Sequence, residues 1–86
     1  MGKYKIEIKK SAVKEISKLP KTELKKVLRK LELLSENPRP FGAIKLSAEE
    51  KYRLRVGKYR ILYQIFDEKL IVIVVKISHR KDAYRR

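Results

Sequence analysis

The sequence predicts an α+β domain in which two helices pack on one face of a mainly antiparallel sheet. Three observations lead to this prediction: apolar residues alternate near the N terminus, they recur at helical spacing between residues 11 and 34, and they alternate again after residue 50. The chain has 86 residues, of which 43% are hydrophobic. That length and composition suit one small folded domain spanning residues 1–86.

The first half of the chain carries one strand signal and two helix signals. Tyr4, Ile6 and Ile8 alternate with charged residues, which predicts a half-buried strand. Ser11 is a candidate N-cap for a short helix, and Pro20, which cannot continue that helix, suits the start of the next one. The apolar positions at helical spacing are Ala12, Val13, Ile16 and Leu19 in the first helix and Leu24, Val27, Leu28, Leu31 and Leu34 in the second.

The second half of the chain predicts a meander of three or four strands. Its predicted parts, in order, are a proline-rich loop at 37–42, a short edge strand at 44–46, a strand at 51–56, a turn at Gly57-Lys58, a central strand at 59–66, a turn at 67–69 and a buried strand at 70–77.

The predicted two-residue turn determines which side chains share a face of the sheet. Counting outward from it pairs Arg55 with Arg60 and places Arg53 on the same face. Directly opposed like charges destabilise a sheet by a few tenths of a kcal/mol up to about 1 kcal/mol, which favours an anionic ligand as compensation. Guanidinium groups bind phosphate oxygens in a bidentate manner, so the three arginines are a candidate nucleic-acid site.

The charge balance favours the same class of partner. The chain has 24 Lys and Arg against 10 Asp and Glu, a formal net charge of +14 that favours nucleic acid, an acidic protein or an anionic membrane surface. The excess is denser after residue 50, where 11 basic side chains accompany 3 acidic ones. His79 can transfer protons near neutral pH, and it lies beside Arg80 and five residues before Tyr84. Periodicity leaves open which of His79 and Arg80 faces the arginines.

Several chemistries are excluded by residue type. Without Cys there are no disulfides or thiolate sites, and one His cannot build the usual zinc site. Three acidic residues after position 50 are too few for a two-metal nuclease, so we expect no metal or cofactor. The longest apolar run, residues 70–75, is far below the roughly 20 residues of a membrane span, so we expect a cytoplasmic protein with no membrane partner. Metal-independent RNA cleavage, in which the substrate's own 2′-OH is the nucleophile, stays feasible.

The segment YRLRVGKYRILY at residues 52–63, with Asp67-Glu68, Ile77-Ser78-His79-Arg80 and Tyr84 after it, resembles the RelE/ParE superfamily of toxin–antitoxin toxins. The RelE branch is the most similar, and Lys18-Leu19-Pro20 extends the resemblance over nearly the whole chain. The resemblance implies a compact fold like that of microbial ribonucleases, entry into the ribosomal A site, and mRNA cleavage through 2′-OH attack. It implies as partners a cognate antitoxin, ribosomal RNA and mRNA, and operator DNA only through the antitoxin complex.

The resemblance also implies site residues. Position by position, the expected catalytic set is Arg53, Arg55, Arg60, His79, Arg80 and Tyr84. Separately from this correspondence, the residues expected to bind RNA are Lys51, Lys58, Lys81 and Arg85. Some family members carry Lys at the pair matching Arg53 and Arg55, and Lys can lose its proton whereas Arg does not. We therefore expect both arginines to hold phosphate and stabilise the transition state. Proton transfer is divided between Tyr84 and either His79 or Arg80.

Two other functions stay open. A ParE-like toxin shares the fold and the hairpin, and poisons DNA gyrase without nuclease activity. Arg80 together with Tyr84 favours RNA cleavage over that alternative. A catalytically decayed toxin that survives as an RNA-binding or antitoxin-binding module is the third alternative, because both first-strand positions hold Arg.

Overall fold

The computed structural model describes residues 3–47 and 49–79. They form a strand, two helices and then four strands, as the sequence predicts. The elements are β1 (Lys5–Ile8), α1 (Lys10–Ser17), α2 (Lys21–Glu36), β2 (Ile44–Ser47), β3 (Lys51–Val56), β4 (Tyr59–Phe66), a short 3₁₀ helix (Asp67–Lys69) and β5 (Ile71–His79).

The five strands form one sheet in the order β1-β5-β4-β3-β2. Strands β2 to β5 are a four-stranded antiparallel meander, which confirms the predicted mainly antiparallel sheet and the predicted edge position of β2. The sequence did not indicate where β1 lies. It pairs in parallel with β5, from Lys5 opposite Ile71 to Ile8 opposite Val74. The first and last strands of the described chain are therefore neighbours.

The hydrophobic core lies between the helices and one face of the sheet. Ala12 is its buried residue from α1, and α2 contributes Val27, Leu31 and Leu34. The sheet contributes nine buried side chains, namely Tyr52, Leu54, Val56, Ile61, Tyr63, Ile65, Val72, Val74 and Ile77. Burying such residues is the main stabilising term for a domain of this size.

One detail of the helix predictions is wrong, and two of the apolar positions lie outside the core. Ser11 is not the N-cap of α1, which begins at Lys10 and has Lys9 in the capping position. The reason is that the Lys9 N–H donates to Val74 O at 3.0 Å and the Lys9 carbonyl already accepts from Val13, so the helix starts directly where strand pairing ends. Val13 is 50% exposed and Leu28 is 47% exposed, so neither belongs to the core.

The β3–β4 hairpin has the predicted register. Val56 lies opposite Tyr59 and Arg55 opposite Arg60, with Gly57 and Lys58 as the turn. Gly57 has φ of +61°, a left-handed conformation that glycine adopts without the steric penalty of a side chain. A glycine at the first central position is typical of two-residue hairpin turns whose twist matches that of the strands.

A network around Arg39 joins the loops at the end of the sheet where β3 begins and β4 ends. The Arg39 Nη2 donates to Asp67 Oδ2 and Glu50 Oε1, each at 2.7 Å, and its Nε donates to the Tyr52 hydroxyl at 2.9 Å. The Tyr4 hydroxyl donates to Asp67 Oδ1 at 2.7 Å. Glu50 has φ of +59°, which non-glycine residues rarely adopt, so these bonds hold a strained turn in place.

The same network shifts the acidity of its carboxylates. Hydrogen bonds from Arg39, Lys45 and Tyr52 lower the pKa of Glu50 to about 2, and those from Arg39 and Tyr4 lower the pKa of Asp67. Each bond favours the charged form of the carboxylate. Both groups are therefore held ionised in the folded protein at pH values where they begin to protonate in the unfolded chain.

The two α-helices of the described chain are short and carry many charged residues, and neither could cross a membrane.

Replacing Arg39 by Ala should lower the free energy of unfolding by about 1 to 2 kcal/mol, since it removes a bidentate partner of Asp67 and leaves Glu50 and Tyr52 with fewer bonds. Solvent screening limits the loss, because 39% of the Arg39 side chain is exposed. Urea denaturation measures the change. Lys3→Ala is the control, because the Lys3–Glu36 pair is long, at 3.9 Å, and highly exposed. Equal stability of both variants would contradict a structural role for the network.

Acidification should destabilise the protein through Glu50. Folding lowers the pKa of this carboxylate, so its ionised form stabilises the folded protein. This contribution is complete above the pKa of the unfolded chain and is lost as the pH falls through the pKa of the folded protein. The free energy of unfolding should therefore fall from about pH 5 towards the folded pKa of about 2. Chemical denaturation at a series of pH values measures this fall, and Glu50→Gln should make it shallower. A Glu50→Gln profile parallel to that of the unmodified protein would refute the assignment.

Candidate functional site

The face of the sheet opposite the hydrophobic core carries the predicted arginines. Leu54 lies opposite Ile61 and both are buried in the core. Because side chains alternate along a strand, Arg53, Arg55 and Arg60 all lie on the opposite face. This confirms the predicted shared face. We call this surface the open face.

A cavity of about 690 Å³, the open-face cavity, lies on this surface. Its sheet side is lined by Leu46, Arg53, Arg60, Leu62, Lys76 and Ser78, and its wall from α1 and the following turn by Glu15, Lys18 and Leu19. Tyr59, Ile77 and His79 complete the lining. Four lysines and arginines therefore surround the cavity with one carboxylate, a balance that favours an anionic ligand.

The register of β5 shows on which face of the sheet His79 lies. Ser78 lies opposite Arg60, whereas His79 lies opposite Tyr59, so alternation places Ser78 and not His79 on the open face. The His79 ring meets the Tyr59 ring edge to face, with centroids 5.0 Å apart. His79 nevertheless lines the cavity, because it lies at the end of β5 beside Tyr59, which also lines it.

The other predicted residues divide into three groups. Arg55 does not line the open-face cavity and is one of the residues that line a separate groove next to α2. Lys51 is exposed and pairs with Glu49 at 3.3 Å, and Lys58 is exposed in the hairpin turn. The expected residues Arg80, Lys81, Tyr84 and Arg85 lie outside the described part of the chain.

Lys76 lines the cavity because of a β-bulge that the sequence pattern did not predict. Leu62 lies opposite Lys76 but the next residue, Tyr63, lies opposite Val74, so Val75 is the extra residue in β5. Without it, alternation from Val74 would direct Lys76 into the core. A single charged residue in the apolar run from 70 to 77 was the available signal, because burying a lysine without a partner is strongly unfavourable.

Glu15 is the second residue that sequence reasoning missed. Its Oε1 accepts a hydrogen bond from the Ile77 N–H at 2.8 Å, and its Oε2 pairs with Lys76 Nζ at 3.3 Å. Pairing with β1 ends at Val74, so Glu15 satisfies a donor on the edge of β5 beyond it. The carboxylate thereby fixes α1 against the strand that carries Lys76, Ser78 and His79.

The chemistry available in the cavity is that of cations around a phosphate. Arg53 and Arg60 are half-buried, and the Nε of Arg60 is closed off from solvent. Guanidinium groups held in this way bind phosphate oxygens with fixed geometry and favour negative charge that develops on them. Among the described residues, no group of three or more His, Asp and Glu side chains could hold a metal ion.

The fold and the cavity define a small α+β protein with a cationic sheet face. Comparison with known proteins gives its family. The sequence profile described as the ParE toxin of the type II toxin-antitoxin system, parDE, matches residues 6–84. The chain belongs to the RelE/ParE superfamily of type II toxin–antitoxin toxins, and its relatives place it in the RelE branch.

Two sequences and one structure illustrate that branch. The toxin RelE1 of Methanocaldococcus jannaschii is 38% identical over 87 residues, which cover 96% of this chain and 97% of that one. The mRNA interferase toxin RelE of Escherichia coli K12 is 35% identical over 81 residues, 91% of this chain and 84% of that one. The Mycobacterium tuberculosis toxin–antitoxin complex RelBE2 contains a chain with a TM-score of 0.81 and 30% identity, with 93% and 94% of the two chains covered.

Replacing Glu15 by Ala should lower the free energy of unfolding by about 1 kcal/mol, because the Ile77 N–H loses its acceptor. Glu15→Gln keeps an oxygen that can accept this bond and should lose clearly less. Urea denaturation compares the two variants, and the amide resonance of Ile77 reports the bond directly. Unfolding of both variants at the same urea concentration would show that the hydrogen bond is not the stabilising contact.

Proposed function

We propose that this toxin is a ribosome-dependent endoribonuclease that cleaves mRNA in the ribosomal A site and so inhibits translation. The observation that carries the proposal is the cavity lined by Arg53, Arg60 and Lys76 on the open face of the sheet. Its relative from E. coli, 35% identical, is named an mRNA interferase. A cationic cavity is suited to the phosphate at which an RNA chain is cut.

The proposed reaction needs no metal or cofactor. The substrate's 2′-oxygen forms a bond to the adjacent phosphorus, the bond from phosphorus to the 5′-oxygen breaks, and a cyclic phosphate remains on the upstream fragment. A base removes the 2′-OH proton and an acid protonates the leaving 5′-oxygen. Arg53 and Arg60 hold the phosphate and stabilise the additional negative charge of the transition state, a role in which arginine needs no change of protonation.

Proton transfer in this proposal belongs to residues at and beyond the end of β5. His79 lines the cavity and carries an imidazole, the side chain that most often serves in acid–base catalysis, while Tyr84 and Arg80 carry the family's remaining roles by resemblance. The edge-to-face contact with Tyr59 restricts how the His79 ring can turn. Arg55 contributes to binding the RNA outside the cavity, and Lys51, Lys58, Lys81 and Arg85 add further contacts with its backbone.

We further propose that a cognate antitoxin neutralises this toxin in the cytoplasm. The similar M. tuberculosis chain is part of a toxin–antitoxin complex. A net charge of +14 makes an acidic antitoxin segment an effective competitor of RNA for the open face. Operator DNA would then be bound only by the complex, through the antitoxin.

The second candidate function is poisoning of DNA gyrase without nuclease activity. The observation that favours it is the profile match, since that profile is described as ParE. A cationic open face also suits DNA. Primer extension on a translated message, run beside a gyrase supercoiling assay, separates the two functions. Cuts at fixed codon positions that require ribosomes support the first function, whereas trapped gyrase–DNA complexes without cuts support the second. If the protein shows neither activity but still binds RNA or the antitoxin, it is a decayed toxin.

Arg60→Ala should reduce the rate of ribosome-dependent cleavage at least about 100-fold, the usual effect of removing one group that stabilises transition-state charge. Tyr84→Phe should also reduce it strongly. Quantitative primer extension gives the rates, and cosedimentation with ribosomes tests that binding is largely kept. Lys69→Ala, which removes an exposed charge from the 3₁₀ helix outside the cavity, is the matched control. A Tyr84→Phe toxin that cleaves at the unmodified rate would exclude Tyr84 as the proton carrier.

A further inference from the structure

A second cationic concavity lies beside α2, away from the open-face cavity. We call it the α2 groove. It has a volume of about 400 Å³ and is lined by Lys26, Arg29, Lys30, Leu33, Arg55, Val56 and Gly57. Four of these seven residues are cationic and none is acidic. The nearest carboxylate to Gly57 is that of Glu23, whose Oε1 would lie 3.4 Å from a Cβ atom placed on this glycine.

The cations of the α2 groove are not explained by contacts within the protein. In the part of the chain that the structure describes, none of its four basic side chains forms an ion pair. Lys26 and Lys30 lie four residues apart on one helix face, a spacing at which like charges slightly destabilise a helix. Lys26, Arg29 and Arg55 are exposed. An anionic ligand bound in the groove would relieve this repulsion.

Arg55 connects the α2 groove to the open-face cavity. Its Cα partner across the hairpin is Arg60, which lines the cavity. Pairing of β2 with β3 ends at the Ile44–Arg53 pair, so β2 does not cover the edge of β3 beside Arg55. The cationic surface therefore extends from Lys76 and Arg60 in the cavity, through Arg55, to this edge of β3. Beyond the edge it continues onto α2, where its cations are Lys26, Arg29 and Lys30.

We propose that the α2 groove is a second binding site for single-stranded RNA, which holds the phosphate backbone of the strand that leaves the open-face cavity. This inference rests on the proposed function for the identity of the ligand in the cavity. The continuity through Arg55 favours RNA over an acidic protein segment, because a flexible polyanion can follow cations over both surfaces. Leu33, which is 50% exposed, gives an apolar surface on which a base can lie between the phosphate contacts.

The test compares RNA binding by three proteins without ribosomes. They are the unmodified toxin, the variant Lys26→Gln/Arg29→Gln/Lys30→Gln, and the control Lys5→Gln/Lys9→Gln/Lys69→Gln. The control loses the same charge from exposed residues that line neither the cavity nor the groove. The probes are 2′-O-methylated, and so uncleavable, single-stranded RNAs of about four and about twelve nucleotides, a range that spans typical single-strand site sizes. Fluorescence anisotropy at several salt concentrations measures affinity, and circular dichroism verifies folding.

The groove variant should bind the longer RNA about tenfold or more weakly than the control does, and its salt dependence should fall by about 2 units of slope, as expected for three lost phosphate contacts. Its affinity for the short RNA should match that of the control. Equal weakening of both variants would mean that net charge alone is responsible, and would overturn the inference. So would failure of the unmodified toxin to bind the longer RNA.

An acidic amphipathic peptide, titrated against the same proteins, tests the competing occupant. Loss of peptide binding in the groove variant with unchanged RNA binding would make the groove a protein-docking site and overturn the RNA assignment. Ribosome-dependent cleavage by the unmodified toxin is measured separately. If the toxin binds RNA in a length-dependent manner but does not cleave mRNA, only the proposed function is excluded. If it cleaves mRNA but its RNA binding does not depend on length, only the groove site is excluded.

Discussion

The register of the β3–β4 hairpin is the constraint on which the rest of this structure depends. Gly57 provides the left-handed turn that sets it, and the pairing of Val56 with Tyr59 follows. Because side chains alternate, a slip of one residue would bring Arg53 and Arg55 into the core and turn Leu54 out. The hydrophobic core and the cationic face are therefore specified together, and the buried side chains keep the arginines outside.

Two further structural features, a β-bulge and a contact of Glu15, complete the site. The bulge at Val75 changes the alternation of β5 so that Ile77 enters the core while Lys76 lies on the open face. Glu15 then fixes α1 to this part of β5, which gives the cavity its wall. At the opposite end of the hairpin, the Arg39 network connects four chain segments, so polar contacts hold the loops there.

Most of the fold could be predicted because its determinants are local. The strand after residue 50, the Gly57-Lys58 turn and the long helix each follow from periodicity and turn chemistry, and the structure contains all of them. The parallel pairing of β1 with β5 and the bulge at Val75 could not be predicted, since both depend on contacts between distant segments. The shared face of Arg53, Arg55 and Arg60 was predictable because it depends only on the local hairpin turn. The position of Lys76 in the cavity and of Arg55 beside α2 was not predictable, because it depends on distant segments.

The parallel pairing of β1 with β5 also has a consequence for synthesis of the chain. Residues 5–8 hydrogen-bond with residues 71–74, so the first strand finds its place only after nearly all of the described chain has been made. Contacts between segments so far apart form slowly, because loop closure must precede them. The hairpin can form earlier in the nascent chain, but the wall contributed by α1 needs Ile77 of β5. A growing polypeptide of this toxin therefore stays without its complete cavity until the last strand is available, so the site is assembled only at the end of synthesis.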